Sequence, residues 1–254
     1  MKLFWKIVLL LLLMTKPVDG AVAVVQSIQA QSSGQVTSIT TGSITTTSGR
    51  LIICDVATRS DFGLSQINDS KGNTYSYAIS PTASSADTAF RVFQSYANNI
   101  VGGASHNFTV PFDDQGHVAV VCKEVSGALT SNALDVTAIK VDNLCTTGCT
   151  STATAPIAQV NELLAGGGAI GVSGTGTTSY TAQSGFTANG SLSNEYAVSI
   201  GLIGASLVVS TGGGKTFTFD LSQEADGVLG WITTWKADTG AAAVSARRRI
   251  ISGD

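Results

Sequence analysis

The sequence predicts an all-β protein: an antiparallel β-sandwich of the jelly-roll kind, carried behind a cleaved N-terminal leader. Short alternating or apolar runs recur along the chain with Gly, Asn, Asp, Ser or Pro between them. Charged residues are only 12 % of the chain, about half the usual share, and the abundance of Thr, Ser, Gly and Ala suits strands and turns better than helices. No apolar 3.6-residue period extends beyond a single turn at 161–165.

Residues 1–20 read as a secretory signal peptide. Lys2 and Lys6 make a basic start, Ile7 to Met14 is a short apolar run, Pro17 breaks it, and Gly20 or Ala23 offers a small residue for cleavage. The run is less than half of the roughly 20 apolar residues that a membrane-spanning helix needs. The stretch Ala197 to Val209 is interrupted by Gly201 and Gly204, so no transmembrane segment is expected in the mature chain. Removing Lys2, Lys6, Lys16 and Asp19 from 14 basic and 17 acidic residues leaves 11 and 16, a net charge of −5. That balance repels phosphates, and no basic stripe marks a nucleic-acid surface. Export points to a secreted, extracellular or cell-surface protein.

From Ala21 the chain reads strand after strand. Runs are expected at 23–31, 35–44, 50–58, 73–80, 90–97, 106–112, 117–125 and 135–141 in the first part. In the second they are expected at 162–173, 178–186, 195–204, 206–210, 215–221 and 228–237. The densest turn signal is Gln66 to Tyr77, where Asn68, Asp69, Ser70, Gly72 and Asn73 precede Thr74, Tyr75 and Tyr77. These residue types describe a tight corner entering a strand of one antiparallel sheet. The tail, 239–254, ends in Arg247, Arg248 and Arg249 and reads as a flexible end.

Four cysteines in an exported chain allow three pairings. Cys54 lies in LIICDV and Cys122 in VAVVCKEV, both apolar central strands, so a bridge between them would staple the core. Cys145 and Cys149 would then close a local loop. Two buried free thiols are the alternative for the first pair. His106 and His117 have no zinc-ligand spacing to the cysteines.

An internal echo bears on domain count. INDSKGNTYSY, FRVFQSYA, NIVGGASHNFTVPF and HVAVVCKEVSG are followed in the second half by SYTAQSGF, NEYAVSIG, SLVVSTGGGKTFTF and GVLGWITTWKA. One sandwich domain over 21–238 is the preferred reading, because the segment 145–156 carries a cysteine pair instead of a tether composition. Two tandem sandwiches split there are the alternative.

Asp69-Ser70, Gly72-Asn73-Thr74-Tyr75, Gly102-Gly103 before an alternating strand, and Glu124-Val125-Ser126-Gly127 together carry a resemblance. The chain resembles a large group of exported bacterial and phage-associated β-sandwich proteins, well over 50–127 and loosely beyond. Val125 stands where that group has an aromatic. The resemblance implies surface or structural roles, often beside adhesive or sugar-binding modules, and supplies no catalytic residues.

Candidate chemistry is sparse. Gly212-Gly213-Gly214-Lys215-Thr216 lacks the first glycine of a phosphate loop and reads as a hairpin turn between SLVVS and KTFTFDL. No G-x-S-x-G elbow occurs. Asp113, Asp114, Asp220, Glu224 and Asp226 offer carboxylates for a hydrolase, or hard oxygen ligands for calcium, the one cofactor the loops suggest. Trp231, Thr233 and Trp235 share one face of a strand. The two indoles would either pack in the core or form a sugar-stacking, ligand-binding platform, core packing being favoured. The leading expectation is a non-catalytic structural or interaction protein of an extracellular assembly, with other protein subunits or surface glycans as partners and no nucleic acid. A lectin-like carbohydrate-binding module comes second, and a secreted glycoside hydrolase or other hydrolase third.

Overall fold

In the computed structural model, residues 21–239 are described apart from 60–64, 85–88, 172–177, 193–199, 223–224 and single positions at 146, 153, 155, 158, 160 and 211. The leader and the tail beyond 239 lie outside the described residues. Among those described, all regular structure is β, and every ladder is antiparallel.

The first half is built from β1 (Ala23–Gln31), β2 (Val36–Thr40), β3 (Ile44–Thr46), β4 (Leu51–Arg59), β5 (Asn68–Asp69), β6 (Ser76–Ala83), β7 (Phe90–Ala97), β8 (Gly103–His106) and β9 (Phe108–Ser126). Its main sheet has the order β1-β9-β4-β7-β6. The long strand β9 serves two layers. Its first part pairs with β2 and β5, its second with β1 and β4, so the sheet curls into a half-barrel. β3 and β8 form a separate pair.

The second half contains β10 (Leu134–Cys145), β11 (Cys149–Thr150), β12 (Glu162–Gly171), β13 (Tyr180–Ala182), β14 (Thr187–Leu192), β15 (Ile200–Val209), β16 (Thr218–Leu221) and β17 (Ala225–Trp235). Its main sheet is β10-β17-β12-β15-β14 and its outer sheet β11-β16-β13. Numbered in chain order within each main sheet, both read 1-5-2-4-3, and both outer layers read 1-3-2. The echo in the sequence is thus matched by one strand order used twice. The chain changes sheet between Ser126 and Leu134, and a lone bridge, Ala128 to Ala237, closes the seam.

The two main sheets face each other. β1 lies over β14, β9 over β15, β4 over β12 and β6 over β10, the way identical faces meet in an isologous pair. Four layers therefore enclose three cores. Ile52, Cys54, Val56 and Phe93 pack under the first outer layer, and Leu164, Ile203, Phe217 and Phe219 under the second. Between the main sheets lie Ala57, Val92, Val121, Leu202, Leu229 and Trp231, continued by Leu51, Ile53, Leu163 and Trp235. Strands covered on both faces explain the continuous apolar runs LIIC and VAVVC, since alternation is needed only where one face meets water.

The glycines of β12 set the spacing of these layers. A Cβ at Gly167 would overlap the Trp231 indole on one face, while at Gly166 and Gly168 it would overlap Phe217 and Phe219 on the other. Gly167→Ala should therefore destabilise the protein by about 1–3 kcal/mol, the usual cost of overfilling a packed core. Urea unfolding of the variant beside wild type measures it, and an unchanged midpoint would show that Trp231 has room to move.

Several sequence expectations are corrected. The turn at 212–216 is no hairpin: β15 belongs to the main sheet and β16 to the outer one, so the chain crosses between layers there. The corner at Gln66 to Tyr77 agrees with the sequence: it leads into β6, β4 and β7 on either side of it are antiparallel neighbours, and β5 within it pairs with the first part of β9, where the same sheet curls over. The run expected at 106–112 belongs from Phe108 onward to β9, the single strand that also holds 117–125, with His106 ending β8, and 206–210 belongs largely to β15, with Val209 its last residue. β14 was not expected, because TANGSL carries turn-type residues, and its pairing with β15 holds it in place.

Candidate functional site

Among the described residues, a group of buried charged and hydrogen-bonding side chains lies between the two main sheets. Asp55 of β4, Gln94 of β7 and Lys123 of β9 project from the first sheet, and Trp231, Thr233 and Trp235 of β17 from the second; none has exposed surface. Lys123 Nζ stands 2.6 Å from Asp55 Oδ2 and donates to the carbonyl of Ala205 at 3.3 Å. Asp55 Oδ1 accepts from Gln94 Nε2 at 2.7 Å and from Trp231 Nε1 at 3.0 Å. The Thr233 hydroxyl donates to Gln94 Oε1 at 2.7 Å and accepts from Trp235 Nε1 at 2.9 Å. One polar network, its side chains drawn from four strands and a backbone carbonyl from a fifth, thus ties the two sheets together. Pairing of this kind is what permits charges to stay in an apolar interior.

The register explains how the sequence brings the pair together. Cys54 and Cys122 are direct partners on β4 and β9, bridged on the face toward the outer layer. Asp55 and Lys123, each one residue further on, fall on the opposite face as diagonal neighbours. A charge inside each of two apolar runs was the signal available in the sequence. With the Cys54–Cys122 bridge given, period-2 alternation would have predicted their meeting.

A second polar group supports the corner. Asp69 Oδ1 accepts from the backbone N–H of Lys71 at 2.9 Å and of Asn73 at 3.1 Å, while Oδ2 accepts from Asn73 Nδ2 at 2.8 Å and the Tyr75 hydroxyl at 2.9 Å. His106 Nε2 stands 3.0 Å from the same Oδ2, and His106 Nδ1 lies 2.7 Å from the Thr46 hydroxyl. Thr46, His106 and Asp69 have the order of a hydroxyl–imidazole–carboxylate relay, yet Thr46 is 4 % exposed and His106 not at all, so this hydroxyl is not presented to a substrate. The cluster fastens the turn to β3 and β8.

Burial pushes the Asp69 carboxyl up, but the hydrogen bonds from Asn73, His106 and Lys71 outweigh it and hold the group below its ordinary value of 3.8. A depressed folded-state value adds stability that is fully present above the unfolded value and is lost as pH falls through the lowered one. Thermal melts across the acid range should show wild type losing stability below about pH 4 more steeply than Asp69→Asn, whose side chain does not titrate. Parallel curves would refute this role. Elsewhere, Glu124 accepts from Thr47 N at 2.7 Å and pairs with Arg50 at 3.1 Å. Burial, with the charge of Asp135 added, raises the Glu162 carboxyl.

The residues singled out by the sequence are placed as follows. Cys54–Cys122 and Cys145–Cys149 are both disulfide-bonded. Trp231 and Trp235 are buried between the sheets, Trp235 edge-on to Tyr96 at 5.0 Å, so they form no solvent-facing sugar platform. The physical reason is that a second main sheet covers the face on which they stand. Asp113 is exposed on β9. Asp220 accepts from Gly148 N at 2.7 Å and Gln183 Nε2 at 2.8 Å. Glu224 and the side chains of Asp114 and Asp226 lie outside the described residues. Among the described residues no three His, Cys, Asp or Glu side chains gather as a metal site. A cleft of about 270 Å³ between β1 and β14–β15 is lined by Val24, Leu163, Asn189, Ser206 and Leu207 among others, with no titratable group.

Comparisons with family models, with curated proteins and with solved structures find no match for this chain.

Proposed function

We propose that this protein is an exported, non-catalytic structural or interaction protein of a cell surface or extracellular assembly. The observation that carries the reading is the double-sandwich block itself: two sheet pairs of one strand order, closed face to face over a core tied by the Asp55–Lys123 network and stapled by two disulfides. Disulfides persist in oxidising compartments, and the leader-like residues 1–20 agree with export. The resemblance carried by Asp69-Ser70 and Gly72-Asn73-Thr74-Tyr75 points the same way.

Each half is read as a jelly roll. With the separate β3–β8 pair set aside and β9 counted as two strands in the first half, each half has eight strands, which numbered in chain order run 1-8-3-6-5 against 2-7-4. The two rolls act as one unit, because the central core is shared between them. Protein partners would meet the exposed edges and loops, since the large side chains are inside.

Expressing the full chain with its own leader in an exporting host, then combining surface fractionation with in situ cross-linking, tests the reading. Recovery in a surface or particle fraction, cross-linked to another subunit, is expected. A strictly monomeric protein absent from those fractions would overturn it.

A further inference from the structure

The contact between Lys123 and Asp55 is arranged for bond formation as well as for charge pairing. We infer that the two side chains condense after folding into an intramolecular amide, Lys123 Nζ to Asp55 Cγ, with loss of one water. This goes beyond the proposed function and does not depend on it.

Three observations point to the amide. First, Nζ is 2.6 Å from Oδ2 with both side chains fully buried, yet Oδ2 accepts no hydrogen bond of ordinary geometry. The amine is pressed against the carboxyl without being aligned to it as a donor. Second, the other oxygen is held by two donors, Gln94 Nε2 and Trp231 Nε1. They polarise the carboxyl and stabilise the negative charge that collects on Oδ1 when Cγ is attacked. Third, the approach is fixed. The Cys54–Cys122 disulfide locks the register of β4 and β9 on the opposite face, and Gly204 backs the pair so closely that a Cβ there would stand 2.9 Å from Oδ2. Holding two reactants at contact distance replaces a bimolecular encounter by a local step.

The step balances without an oxidant or cofactor. The first step is passage of a proton from the Nζ ammonium to Oδ2 across the 2.6 Å contact, leaving an amine against a carboxylic acid. The Nζ lone pair attacks Cγ, the C–N bond forms, and the carbonyl electrons move to Oδ1. A second Nζ proton goes to the Oδ2 hydroxyl, the Cγ–Oδ2 bond breaks, water leaves, and the Oδ1 carbonyl reforms. The third Nζ proton stays on the amide nitrogen. The product joins β4 to β9 on the face opposite the disulfide.

Mass spectrometry of the secreted, folded full chain tests this. After reduction and alkylation, trypsin should fail to cut at Lys123. Peptide 51–59, bounded by Arg50 and Arg59, should remain joined to 92–140, the product weighing one water less than the two together. Lys123→Arg keeps the cation and should release the separate 51–59 peptide. Should that variant fail to fold, the wild-type map still decides. Free 51–59 and 92–123 peptides as the bulk product from folded wild-type protein would overturn the inference.

Discussion

Lys123→Met and Asp55→Ala should each destabilise the protein by about 3–5 kcal/mol, because each leaves the other charge buried and uncompensated. The pair is sealed between two main sheets with no exposed surface, so water does not take the missing partner's place. Asp55→Ala also strips the acceptor from Gln94 and Trp231, and an unpaired buried donor costs about 1–3 kcal/mol more. The double variant removes both charges together, so it should cost less than the two single variants added. Groups in direct contact couple in this way, by about 0.5–3 kcal/mol. Urea denaturation of wild type, both singles and the double closes the cycle. Additive costs would mean that the two side chains do not interact, by charge or by amide, and a loss below 1 kcal/mol in both singles would mean that water reaches the site.

Opening Cys54–Cys122 should cost roughly 4 kcal/mol wherever the disulfide is the only closure of its loop, on the chain-entropy estimate for its sequence separation of 68. Lys123→Arg is the background in which that condition holds. In wild type the Asp55–Lys123 amide closes nearly the same loop from the other face, so reduction should cost distinctly less. Calorimetry with and without reductant, on both proteins, reads the difference. Cys145–Cys149 spans only 4 residues and adds a smaller share that is the same in both proteins, so it cancels in the difference, loop-closure entropy growing with loop length. Equal losses in the two proteins would argue against the amide, and no loss in Lys123→Arg would argue against the staple.

The site was partly legible because its parts obey local rules. The disulfide followed from two cysteines in apolar strands, and Asp69 was placed in a tight corner by the turn-forming residues around it. Asp55 and Lys123 were passed over, since a lone charge in a strand is ordinary until the strand is known to be covered on both faces. His106 beside Asp69 is a contact across 37 residues of sequence, set by the packing of β8 against the corner. No local pattern encodes it.

What the sequence determined by itself is the β content, the spacing of most strands, the cysteine staple and the corner at Gln66 to Tyr77. Each depends on residue type and short-range alternation, through side-chain fit to a pleated surface, turn chemistry and redox compartment. The tertiary structure decided which strands share a sheet, that Gly212 to Thr216 crosses between layers, and that Trp231 and Trp235 face another sheet instead of solvent. The reason is that alternation divides a strand into two faces and says nothing of what covers each one. Only the closure of the second main sheet over the first, through side chains more than 100 residues apart such as Asp55 and Trp231, turned a row of tryptophans and charges into the centre of the fold.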